Sequence, residues 1–395
     1  MKNAVIIGAG NIGRGFIGQI FSDAGYEIVF LDVAAPLVDA LNAAGAYPLE
    51  LVSSDSAERR IISPVRAVNG RDPEAAARTI ADADVLVTCV GAKALKFIVP
   101  NLTAGVRLRA AESGKPLNLL ICENLMDADA VLRGLIDPHL TESEKALLGL
   151  VETSVGRMVP HPDKELLEKE PLLARAERYG YLPYDADAWL GDAPDVPALV
   201  PCSPFRFMVE RKLYIHNMGH AAAAYLGMLR GYTLIADTIA DPAVRVVVRE
   251  AMTASARALA KENDADLDAL IAHGDDLIRR FGNRALGDTC ERVGADIPRK
   301  LSPTDRLTGA ARCVADAGMR PVWHALAAAA ALFRYEQENG GDDFTPAECF
   351  ASLTGVKSGD YYDAALAFFD LIRSGAPLEA LIARADRMFE ENGAV

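Results

Sequence analysis

The chain lacks the features that mark several large protein classes. Only 6 cysteines occur in 395 residues. Cys89, Cys122, Cys202, Cys290, Cys313 and Cys349 are scattered, with no CxxC and no short-spaced pair. They read as reduced, mostly buried thiols, which excludes a disulfide framework. Neither they nor the histidines have metal-ligand spacing, so no metal site is expected. Long apolar runs are also missing. The longest, Leu326 to Phe333, falls far short of a membrane span. The apolar run behind Met1 meets Gly8 too early for a signal peptide. The expectation is a cytoplasmic protein with no membrane partner. Positive charge is in deficit: 41 Lys and Arg against 55 Asp and Glu give a net charge of −14. That balance argues against nucleic acid as a partner. Screening confines charge effects to about 8–10 Å, so an anionic metabolite could still bind at a local basic cluster. There is no repeat of fixed period and no low-complexity tract beyond alanine-rich helix.

Hydrophobic residues make up 51% of the chain and charged residues 24%, which excludes a largely disordered polymer. The length favours two domains. Ala4–Ile7, Glu27–Leu31, Val85–Val90 and Leu117–Cys122 read as short buried strands, each followed by a helix-compatible segment, and Leu148–Val155 reads as one more strand. This alternation is the signature of βαβ units on a parallel sheet. From Pro160 to Pro201 prolines crowd the text, which reads as an excursion with some β structure. Phe205–Leu229, Pro242–Lys261, Asp266–Arg280, Pro321–Gln337, Tyr361–Ser374 and Pro377–Asn392 carry Ala, Leu and Arg at helical spacing. The expected domains are residues 1–200 and 201–395. The first is an α/β domain with a mostly parallel sheet, the second all-α.

Val5-Ile6-Ile7-Gly8-Ala9-Gly10-Asn11-Ile12-Gly13 is a GxGxxG between an apolar strand and a helix. Gly8 permits the tight turn and Gly10 the approach of a pyrophosphate. Gly13 permits close helix–strand packing, and the helix start at Asn11 and Ile12 offers free N–H groups. Asp32 ends the second strand, 19 positions after Gly13. A carboxylate there accepts the adenosine ribose hydroxyls and repels a 2′-phosphate, so NAD is favoured over NADP. Arg14 sits beside this turn and suits either cofactor. Val90 and Gly91, ending another strand, are expected against the dinucleotide. The first domain is therefore read as Rossmann-type.

The second domain must carry the substrate chemistry. In Glu210-Arg211-Lys212-Leu213-Tyr214-Ile215-His216-Asn217-Met218-Gly219-His220, helical spacing of about 100° per residue gathers Lys212, Asn217 and His220 within roughly 140°. A lysine whose pKa is lowered by burial can take a hydroxyl proton. An amide and a neutral imidazole can hold the oxygen. His216 falls in the same arc, so spacing does not choose between the histidines.

GAGNIGRGF at Gly8–Phe16, CENL at Cys122–Leu125, VERKL at Val209–Leu213, NMGHA at Asn217–Ala221 and RKLSPTDRL at Arg299–Leu307 resemble the polyol-specific long-chain dehydrogenase/reductase family, the mannitol dehydrogenase family. The resemblance spans nearly the whole chain in order. It implies NAD-dependent oxidation of a sugar-alcohol phosphate, mannitol 1-phosphate to fructose 6-phosphate. By the same resemblance Lys212 is the general base, Asn217 and Asn124 form the oxyanion hole, and His220 binds the substrate hydroxyl. Arg292 and Lys300 would hold the polyol. Arg292, Arg299, Lys300 and Arg306 also form the basic cluster an anionic substrate needs, on a segment broken by Gly294, Pro298 and Pro303 that reads as more loop than helix. One departure is Gly156, where the family usually has Asp. A monomer or weak homo-oligomer is expected. Hexuronate reductases acting on fructuronate or tagaturonate, and unphosphorylated mannitol 2-dehydrogenases, share the same Lys–Asn–His machinery. A non-catalytic NAD-sensing protein is the alternative of a different class, and the intact Lys212, Asn217, His220 and Asn124 argue against it.

Overall fold

A computed structural model describes residues 1–160, 162, 164–341 and 343–390. The chain divides into two compact units, Met1–Met208 and Val209–Val395.

The first unit is built on six parallel strands, numbered here within this sheet: β1 (Asn3–Ile7), β2 (Glu27–Asp32), β3 (Val65–Asn69), β4 (Val85–Thr88), β5 (Leu117–Ile121) and β6 (Leu148–Glu152). Their spatial order is β3-β2-β1-β4-β5-β6, the doubly wound order of dinucleotide-binding folds. The chain reverses direction across the sheet between β1 and β4, where ligands of such sheets bind. Alternation along β1 explains why both faces are covered. Ala4 and Ile6 enter one apolar cluster with Phe16, Ile20 and Phe30. Val5 and Ile7 enter another with Leu86, Leu102 and Leu119. Strands buried on both faces read as continuous apolar runs, which is why β1, β2, β4, β5 and β6 are legible in the sequence.

β3 is not legible there, because Arg66 interrupts it and Pro64 precedes it. Also unforeseen is a three-stranded sheet in which Tyr47–Val52 pairs antiparallel with Ala57–Ile62 and parallel with Ala174–Glu177. Ala57–Ile62 is an exposed edge whose polar sequence hides it. Arg59 pairs with Glu170, and Arg60 with Glu58 and Asp23. Charges on an edge strand block pairing with other chains.

In the second unit the described elements are nearly all helical. Arg206–Arg211, Lys212–Asn217 and Met218–Leu229 run on without a break, and Ala221 to Leu226 are wholly buried. Pro242–Asn263 starts at Asp241, whose carboxylate accepts the Ala243 N–H at 2.9 Å, a standard N-cap. Leu267–Phe281, Val322–Asn339, Asp360–Arg373 and Leu378–Glu390 follow. The expected extension of the last helix to Asn392 lies outside the described residues. Ile235–Ala240, Thr308–Asp316 and Pro346–Thr354 are further helices. Among the described residues, no helix is long and apolar enough to cross a membrane.

Candidate active site

In the first unit the candidate site is made of backbone. Gly8 follows β1 at φ +103°, and a Cβ there would stand 2.5 Å from the Cys89 carbonyl oxygen. A Cβ on Gly13 would run into the Gly8 carbonyl oxygen. Only glycine closes this turn. Gly10 has nothing near its Cβ position, and the open space there belongs to a cavity of about 600 Å³ lined also by Gly8, Asp32 and Val90. Asn11, Ile12, Gly13 and Gly91 do not line that cavity; Asn11 and Ile12 begin the helix, and Gly13 packs beneath Gly8. The helix continues as a π-turn over Gly13–Ile17, and π-turns gather at functional sites.

Asp32 does more than face the cavity. Its Oδ2 accepts the Ala9 N–H at 2.7 Å and its Oδ1 the Ala34 N–H at 2.9 Å, so the carboxylate also pins the glycine turn. Arg14 turns away from the ligand question. It is buried, donating to the carbonyls of Ala9 and Leu172 at 2.7 Å each. Arg71, unmarked in the sequence, and Glu123 of the CENL segment join the site. Arg71 lines the cavity beside Asp32. Glu123, buried at the end of β5, accepts the Val90 N–H at 3.0 Å and so braces the Val90–Gly91 turn. Burial raises its pKa against the pull of those backbone N–H groups. Asn124 is exposed just beyond it. At Gly156, a side chain would meet the Tyr179 ring at 3.2 Å, so an aromatic edge crowds the space where an Asp side chain would begin.

In the second unit the candidate site is made of side chains. Lys212–Asn217 is a π-turn in which the Met218 N–H reaches the Leu213 carbonyl. This departs from the regular spacing read from sequence. Hydrogen bonding from i to i+5 stacks residues five apart, so Asn217 lies over Lys212 more closely than an α-helix would place it. Lys212, Asn217 and His220 are half-buried. The two histidines differ sharply in surroundings. His216 is buried, and burial followed by Arg280, His220 and Lys212 drives its pKa well below the ordinary value. His220 stacks on Phe281, ring centroids 4.6 Å apart and planes at 8°, with Nε2 lying 3.1 Å from Asp288 Oδ2. Nothing in the local sequence marked Phe281 or Asp288, although Asp288 precedes Arg292 by one helical turn.

The basic segment is ordered by its own carboxylates. It is more helical than expected, because Thr289 caps Cys290–Gly294 and Pro298 stands in the first turn of Ile297–Leu301, where proline starts a helix and does not break it. Arg292 pairs with Asp288, Arg299 with Asp296 and Asp305, and Arg306 with Asp305. Lys300 differs from these three. It is 4% exposed, no described carboxylate pairs with it, and burial, then Arg306 and Arg299, push its pKa down to about 8.

Two family models match in succession: the mannitol dehydrogenase Rossmann domain over residues 2–189 and the mannitol dehydrogenase C-terminal domain over residues 205–351. The chain belongs to the mannitol dehydrogenase family. It is an oxidoreductase of that family, and relatives and solved folds agree. It is 36% identical over 343 residues to a mannitol-1-phosphate 5-dehydrogenase of Brevibacillus brevis, covering 85% of this chain and 87% of that one. A mannitol-1-phosphate 5-dehydrogenase of Thermoanaerobacter pseudethanolicus is 34% identical, covering 86% and 87%. Among solved structures, Pseudomonas fluorescens mannitol 2-dehydrogenase, a ternary complex with NAD and D-mannitol, superposes with a TM-score of 0.74 at 17% identity, covering 97% of this chain and 94% of that one. A substrate-free D-sorbitol dehydrogenase superposes at 0.78 with 16% identity, covering 97% and 95%. The β3-β2-β1-β4-β5-β6 sheet and the helical second unit are thus the fold of mannitol dehydrogenases.

Proposed function

We propose that this mannitol dehydrogenase family enzyme interconverts D-mannitol 1-phosphate and D-fructose 6-phosphate with NAD, by hydride transfer assisted by Lys212. The reading rests chiefly on the relatives, which carry the name mannitol-1-phosphate 5-dehydrogenase and align over most of the chain at 34% and 36% identity. Lys300, buried and without an ion-pair partner among the described residues, supports an anionic substrate, because a buried cation is costly until an anion joins it.

The first unit fits a dinucleotide. The space over Gly10 and the helix start behind it suit a pyrophosphate, and Asp32 keeps lone pairs for ribose hydroxyls beyond those used on Ala9 and Ala34. Its negative charge favours NAD; Arg71 on the same cavity is the one residue that could draw a 2′-phosphate. NAD, when bound, accepts the hydride from the carbinol carbon. Lys212 takes the hydroxyl proton, Asn217 and Asn124 donate to the oxygen as its charge grows, and His220 holds the hydroxyl. Arg292, Lys300, Arg299 and Arg306 are the groups available to the polyol and its phosphate.

The decisive assay follows the absorbance of reduced nicotinamide with purified protein, NAD and candidate polyols. Rapid turnover of D-mannitol 1-phosphate, with far less from D-mannitol or mannonate, is expected. Preferred turnover of mannonate would transfer the protein to the hexuronate branch. Tight NADH binding without turnover of any polyol would make it a sensor.

A further inference from the structure

The His220 imidazole is held in two perpendicular ways by groups with no assigned role. Phe281, itself buried, stacks face to face on the ring and fixes its plane. Stacking leaves the ring free to turn within that plane, so the edge needs a separate restraint. Asp288 supplies it. Its side chain is 8% exposed, and Oδ2 lies 3.1 Å from His220 Nε2. The other oxygen, Oδ1, accepts from Arg292 Nε at 2.8 Å and Nη2 at 2.5 Å.

We propose that Asp288 is a positioning residue, one carboxylate that sets the imidazole of His220 and the guanidinium of Arg292 at a common spacing to receive a polyol phosphate. This rests on the proposed function for the roles of His220 and Arg292. The geometry of the pair itself is independent of it. Burial alone would raise the Asp288 pKa, yet His220 and Arg292 hold it below the ordinary carboxylate value, so the group stays charged in its buried place. Nε2 is buried and lies 3.1 Å from Oδ2, close enough for the carboxylate to hold that edge of the ring. Arg292 spends Nε and Nη2 on a single oxygen of Asp288, while its side chain remains 59% exposed with Nη1 available to an anion. The backbone around Asp288 is anchored separately. Its carbonyl accepts the Ile235 N–H at 2.9 Å, and Thr289 caps the following helix. Removing the charge should therefore spare the fold.

The test is Asp288→Asn in the full-length protein, read in two ways. In steady-state assays KM for D-mannitol 1-phosphate should rise roughly ten- to hundredfold, the scale of a lost charge-assisted hydrogen bond, with KM for NAD unchanged. Asp288→Glu should recover part of the loss. In NMR spectra of histidine-labelled protein, with the His220 signals assigned from His220→Gln, the imidazole tautomer and ring shifts should change in Asp288→Asn. Unchanged KM together with unchanged His220 signals would overturn the proposal. So would equal loss of kcat, KM and melting temperature that Asp288→Glu fails to relieve, since that is a purely structural role. If Asp288→Asn does not fold, Arg292→Gln decides by the same spectra, because a shared carboxylate must transmit that change to the His220 ring. Absent turnover by the unaltered protein would refute the proposed function, while the NMR arm still judges the pairing.

Discussion

The glycine turn behind β1 and the helical stretch Lys212–His220 both carry a π-turn, yet they build their sites from opposite materials. In the first unit the candidate site is mostly backbone. Gly8, Gly10 and Gly13 matter for what they omit, and the carboxylates Asp32 and Glu123 tie down the backbone around them. In the second unit the candidate site is made of side chains, and each is set by its neighbours, some distant in sequence and some close by. His220 depends on Phe281 and Asp288, and Lys300 on Arg299 and Arg306. A backbone site is specified locally and tolerates little substitution. A side-chain site is specified by neighbours, and its properties shift whenever one neighbour changes.

The sharpest way to break this contrast is Lys212→Ala. The loss of a general base should lower turnover about 10²- to 10⁴-fold, while NADH titration shows binding intact. Unchanged turnover would remove Lys212 from the mechanism, and lost NADH binding would mean that the two kinds of site are not separable. Next in size is a pair of glycine variants. Gly13→Ala must displace the Gly8 carbonyl and should cost about 1–3 kcal/mol of stability, measured by denaturant unfolding. Gly10→Ala meets nothing and should fold normally, yet bind NADH more weakly. Equal stability of the two would contradict the packing described.

A smaller effect is expected from Asp32→Asn, which keeps one acceptor for the turn and removes the charge. The ratio of NAD to NADP efficiency should fall about tenfold, helped by Arg71. A ratio that does not move would take cofactor choice away from Asp32. Smallest is a pH effect. Because the Lys300 pKa is lowered to about 8, its proton is lost as pH rises through that value, and KM for an anionic substrate should climb above about pH 8. For stability the sign is opposite to that of a paired lysine. The unfolded chain keeps its proton to higher pH, so the strain of burying Lys300 is relieved between about pH 8 and the ordinary lysine value. A KM flat across this range, or one equally steep in Lys300→Met, would sever the link.

What the sequence alone determined is whatever depends on short-range rules. Strands covered on both faces announce themselves as apolar runs, long helices as 3.6-residue periodicity, and the nucleotide turn as glycines at fixed spacing beside an acid. The polar edge strand Ala57–Ile62 escaped because surrounding carboxylates, not apolar burial, accommodate its arginines. The basic segment reads as more loop than helix because of Gly294, Pro298 and Pro303, yet Thr289 and Pro298 begin helices there and Asp288, Asp296 and Asp305, close by in sequence, pair with its arginines. Which histidine stays neutral and buried, which one meets a carboxylate, and which lysine is left without a partner were decided by tertiary structure. Protonation and orientation follow from the dielectric and charges within a few ångströms of an atom, and those are contributed by residues that the chain brings together only when it folds.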